Sequence, residues 1–259
     1  MGHSRLGTLP DTKPWRRVVG VLGSGGNVAV IASNTSQAAQ GGLDLAESDE
    51  GLRHTFWLLS QVVLAARQDD FTSVLKDLGV KVPREPTAFS IVAGFTDAVD
   101  NHLRRTHART DIGEMAQMAA AEAITATLSN KLTGLFDTTH VEVQSAMKDC
   151  STQSGFANLA HDFFSRFTQR FLTYHLSREL ANHVGEGRRF TSPSEHTEFV
   201  EQLGIHSRQA ALIVKQFAGD WYSKANFEGG ISPTKAKNFL HVAIDKLRRE
   251  LNVRGERGG

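Results

Sequence analysis

The sequence predicts an all-α protein. Three observations carry that expectation. Apolar residues recur at steps of three and four along most of the chain. No segment alternates apolar and polar residues for the length of a useful strand, and Ser, Thr, Asp, Pro and Gly punctuate the periodic runs where helices start and stop. The architecture expected is an irregular multi-helix bundle of about nine or ten helices around one long helix at residues 151–184. No internal repeat is visible.

Residues 1–12 read as an extended arm, followed by a helical domain over 13–259, whole or divided into lobes of 13–136 and 137–259. Pro14 opens the first helix, with Lys13, Arg16 and Arg17 at its start. That basic start opposes the helix dipole and suits an arm that docks on something acidic. The run RVVGVLGSGGNVAVIAS then brings Gly23, Gly25 and Gly26 to what looks like a helix start, where a backbone can approach a phosphate. Val28 stands where a dinucleotide fingerprint needs its third glycine, and no Gly-Lys-Ser/Thr follows. A glycine-rich connection or small hairpin is the favoured reading.

From Asn27 to Ser48 a small-residue helix is expected, interrupted at Gly41-Gly42. Asp49 caps a stronger one, with Leu52, Phe56, Leu59, Val63 and Ala66 on one face. A short helix ends at Gly79, and VKVPREP is the clearest linker. Pro86 begins a helix striped by Phe89, Val92, Phe95, Val99 and Leu103. Asp111 caps another, from Ile112 to Phe136, whose small residues on several sides predict packing all round. Thr138 or Thr139 opens a shorter helix that ends near Lys148.

The long helix starts with Ser151 as its expected cap and stops at Gly185. Phe156, Ala160, Phe163, Phe167, Phe171 and Tyr174 share a face, and the helix spans roughly 50 Å. After the loop GEGRRFTSPSE, one helix from Glu195 to Lys224, bent at Gly204, carries Ala210, Ile213, Val214, Phe217 and Trp221. Ser232-Pro233 starts the last helix, with Ala236, Leu240, Ala243, Leu247 and Leu251, and VRGERGG should fray.

Composition bounds the function. Hydrophobic residues make up 40 %, enough for a sizeable core, and 29 basic residues against 28 acidic ones create no global field for nucleic acid or an anionic membrane. The lone Cys150 excludes an intramolecular disulfide and fits a reducing compartment. No apolar run approaches the roughly 20 residues that span a bilayer. The first residues carry neither a signal-peptide core nor the Ser/Thr of a myristoylation site. The expectation is a cytoplasmic protein without membrane partners.

Two stretches stand out as candidate binding sites. On the long helix the apolar face changes sides near residue 175: Leu176, Leu180 and Val184 continue one stripe while His175, Arg178, Glu179, Asn182 and His183 occupy the direction of the phenylalanines. Charged groups there must be paired or wet, so the set reads as a buried network, a pocket wall, a partner surface or a solvated helix end. His175, Glu179 and His183 span roughly 12 Å, too far to hold one metal ion together. No metal or cofactor is expected. The second stretch, residues 217–235, places Lys224 between Trp221 and Phe227, followed by two glycines. It reads as a binding loop or as a helix corner pinned by those aromatics.

Catalytic signatures are missing: there is no GxSxG or HExxH, and Cys150 before a helix reads as a small buried residue. Basic residues gather at two helix ends, Arg104 and Arg105 in one and Lys246, Arg248 and Arg249 in the other. Helix-dipole complementation accounts for most of them, and nucleic-acid binding is the alternative use. The texture points to a non-catalytic, cytosolic helical interaction or scaffold subunit with protein partners, of a kind found in bacterial multi-protein systems. The alternatives are a nucleic-acid-associated helical protein and an enzyme with a polar site around His175–His183.

Overall fold

The computed structural model describes residues 9–132 and 138–258, the Arg178 side chain excepted. Twelve helices and no strand occur among the described residues. The first half contributes α1 (Lys13–Gly23), α2 (Val28–Ala38), α3 (Gln40–Ser48), α4 (Glu50–Ala65), α5 (Phe71–Asp77), α6 (Ala88–Thr106) and α7 (Asp111–Lys131). The second contributes α8 (His140–Asp149), α9 (Gln153–Asn182), α10 (Pro193–Ala210), α11 (Leu212–Phe227) and α12 (Pro233–Gly258). No helix among them is long and apolar enough to cross a membrane.

The long helix α9 is central, packed by α7, α10, α11 and α2, while α12 lies along α2 and α4. Its phenylalanine stripe meets aromatics from three other helices. Phe56 of α4 lies 5.6 Å from Phe163 and stacks on Phe239 of α12 at 5.0 Å. Trp221 of α11 closes on Phe239 at 4.3 Å, and Tyr222 stacks on Phe156 at 4.1 Å. Aromatic side chains bring large buried area and prefer such offset or tilted geometries. One core cluster runs from Trp15 to Leu251.

The helix count exceeds nine or ten because two expected helices are each broken. The first breaks at Ala39, not at Gly41-Gly42, which belong to α3. The second breaks at the buried Ala211 rather than at Gly204. His161 of α9 reaches the last turn of α10 and bonds the Arg208 carbonyl through Nε2 at 2.8 Å. That carbonyl belongs to the helix end whose backbone acceptors need partners. The cap of α9 is Thr152, one residue later than expected; Ser151 is held by Arg67, whose Nε donates to its Oγ at 2.7 Å. Phe136, the expected end of α7, lies outside the described residues.

The Gly23–Gly26 loop is a helix terminator. Gly25 takes φ +81°, the left-handed region open to glycine, its N–H bonds the Leu22 carbonyl, and the N–H of Gly26 bonds Val21 at 2.9 Å. Those N–H groups are spent on α1 and unavailable to a phosphate. The terminal segment does not fray: α12 continues to Gly258, where the carbonyl accepts from Asn27 Nδ2. Buried Gly255 lets α12 lie directly on Ser33 of α2.

Candidate functional site

The end of α9 is packed on both sides. Leu176 and Leu180 are fully buried, so the helix does not simply leave the core there. His175 sits between Trp15 of α1, at 5.2 Å, and Phe171, at 4.8 Å. Burial pushes its pKa down to about 4, and its Nδ1 is buried without a hydrogen-bond partner among the described residues. Glu179 and His183 pair one turn apart at 3.1 Å, with the His183 ring 3.5 Å from the position a Gly23 side chain would take. Asn182 is exposed, and its carbonyl accepts from Arg188. The polar set therefore divides: His175 faces α1, Glu179 and His183 hold each other, and Asn182 faces solvent. The Arg178 side chain lies outside the described residues. Among the described residues no three His, Cys, Asp or Glu side chains gather as metal ligands. Earlier along α9, Arg166 is paired with Glu122 of α7 at 3.4 Å, and Arg170 pairs with the same carboxylate.

The corner between α11 and α12 separates its aromatics. Trp221 packs inward on Phe56, Phe156 and Phe239. Phe227 is 93 % exposed and pins nothing. Other groups hold the corner. Lys235 Nζ donates to the carbonyls of Ala225, Glu228 and Gly230, each at 3.0 Å. From α4, Trp57 Nε1 and Gln61 Nε2 both donate to the Ile231 carbonyl, at 3.1 and 3.0 Å. Gly229 and Gly230 turn the chain at φ +91° and +94°. Lys224 stands beside Phe227 in solvent, 3.9 Å from Glu228.

The two basic groups differ. In α12, Arg248 bonds Asp44 at 3.1 Å and Asp245 at 3.0 Å, Arg249 bonds Asp245 at 2.9 Å, and Lys246 lies 5.5 Å from the Phe217 ring centre. Their charge is largely answered within the protein. At the end of α6, Arg104 and Arg105 line a cleft of about 550 Å³ together with Lys81, Asn101 and His54. Leu78, Gly79 and Ala98 also line it, and no carboxylate is in the lining among the described residues.

No protein-family model matches the chain, and no curated protein or solved structure matches it. The sequence reading missed Lys81, Asn101 and His54 as members of a site. The spacing of Asn101, Arg104 and Arg105 already places three polar groups on one helix face. Nothing local brings Lys81 or His54 to them.

Proposed function

We propose that this chain is a non-catalytic, cytosolic helical interaction subunit that engages a protein partner at the corner between α11 and α12. The observation that supports this reading is Phe227, a fully presented phenyl ring on a backbone held by Lys235, Trp57 and Gln61. Burying such a side chain returns about 1.5–3 kcal/mol. A corner already ordered loses little further freedom on binding. Lys224 and Glu228 flank the ring with opposite charges, the polar rim that surrounds an aromatic anchor in protein interfaces. The test is partner recovery from extracts of the native host, quantified by mass spectrometry. Phe227→Asp should lose the retained partner while keeping the wild-type melting temperature, and Val242→Asp, at another exposed apolar position on α12, should keep it. Retention of the same proteins by Phe227→Asp, or retention of none by the wild type, removes the reading.

A further inference from the structure

The cleft at the end of α6 carries an assignment independent of the partner-binding corner. We propose that it binds a phosphate ester of nucleotide size, held by Lys81, Arg104 and Arg105.

Charge is the first argument. Lys81 and Arg105 make no ion pair among the described residues, and Arg104 bonds only the neutral Asn101 Oδ1, at 2.6 Å. Three other clefts each include a carboxylate, Glu122, Asp162 or Asp220. Here three cations line one concavity with nothing anionic in its wall among the described residues, which is the electrostatic demand for an anion. Arginine supplies planar donors matched to phosphate oxygens, and lysine supplies a point charge.

The second argument is that the wall is built. Lys81 is a loop residue, yet its backbone is fixed. Val80 is fully buried, and a side chain at Gly94 of α6 would come within 2.6 Å of the Lys81 carbonyl. The glycine thus allows the loop to lie against α6, which carries Lys81 to the arginines. Asn101 holds Arg104 from one turn away. His54 is anchored by stacking on His102 at 3.5 Å, whose Nε2 bonds Glu50 at 3.0 Å. Burial, His102 and Arg105 hold the His54 pKa at about 3, so the ring is neutral and adds hydrogen-bonding capacity without competing charge.

Size and polarity narrow the ligand. The volume falls within the roughly 300–1,000 Å³ of small-molecule sites. Leu78, Ala98 and the His54 imidazole offer apolar contact beside the cations. A phosphate joined to a base or similar ring uses both halves, whether free or as part of a nucleic-acid strand.

The test titrates the full chain with inorganic pyrophosphate, ATP and a short single-stranded oligonucleotide by calorimetry at low salt. Saturable binding of at least one probe is expected, weakening with added salt. Lys81→Ala and Arg105→Ala should each weaken it by about tenfold or more. Both side chains are solvent-facing, and unchanged melting temperatures will certify the fold. Arg249→Ala, equally exposed but paired with Asp245, should bind as wild type. Binding of ATP identifies a free phosphate ester; binding of the oligonucleotide alone, lost in the same variants, identifies a strand; binding of pyrophosphate without ATP or oligonucleotide overturns the ester and leaves an inorganic anion site. No saturation with any probe at millimolar concentration overturns the assignment. So does undiminished binding by Lys81→Ala and Arg105→Ala.

Discussion

Replacing Arg189 by Met should loosen α1 and the start of α2. Arg189 lies in the loop after α9. Its guanidinium donates to the carbonyls of Leu22, at 2.9 Å, and Gly26, at 2.7 Å, at the end of α1. It is seated between the rings of Phe190 and Phe199, 5.1 and 5.0 Å from their centres. Hydrogen bonds to a charged group contribute about 1.5–3 kcal/mol each, and each cation–π contact about 0.5–1 kcal/mol. Against these stand the side-chain entropy of an ordered arginine, about 2 kcal/mol, and an Nε buried without a partner. Water also reaches the freed carbonyls at this partly open site. The net loss expected for Arg189→Met is about 2–4 kcal/mol. Urea unfolding at constant m-value measures it, and hydrogen exchange should show the amides of α1 and the start of α2 losing protection first. Arg189→Lys should fall between, since an ammonium cannot span both carbonyls with the same fork. A loss below about 0.5 kcal/mol, the scale of ordinary surface changes, would refute the tether. Equal loss of protection across all helices would do the same.

Other outcomes follow from packing and burial. Phe167→Ala, between Phe163 and Phe171 in the core, should cost about 3–5 kcal/mol by urea unfolding, and a cost below about 1 kcal/mol would mean that face is not buried. Gly51→Ala would place a methyl 2.6 Å from the Gly113 Cα where α4 crosses α7, and about 1–3 kcal/mol of overpacking should appear as a lowered melting temperature. His175 is held near pKa 4 against an ordinary 6.5, so its folded form prefers neutrality; stability is fully present above pH 6.5 and is lost as pH falls toward 4. By about pH 5 the loss is about 2 kcal/mol from this residue. His175→Leu should flatten the acid limb of urea midpoints over that window, and an equally steep limb in both proteins would contradict it.

Sequence alone determined the all-α class and the identity of the organising helix. Periodicity, caps and glycine stops depend on neighbours within a few positions, and these are what a linear reading can weigh. Thus Asp49, Ser232-Pro233 and the phenylalanine stripe of α9 were legible, and so was the packed character of α7. What periodicity could not supply was where each helix meets another. The break at Ala211 sits where His161 reaches the end of α10 from a different helix. The C-terminal segment stays helical because Ser33 and Asn27, more than two hundred residues earlier, receive it.

The candidate sites divide along the same line. Phe227 and Trp221 look alike in sequence, each a large apolar residue on α11, yet Trp221 packs half-buried against the core aromatics and Phe227 faces water. Arg248 and Arg105 are both arginines near helix ends, but Asp44 and Asp245 answer the first, while Lys81 joins the second across a loop seated on Gly94. A side chain's type states which partners it can use. Its charge environment and exposure are sums over everything folded around it, and those sums include residues far away in the chain. Only the tertiary structure therefore decided which cations remained free to converge on one cleft and which aromatic was left for a partner.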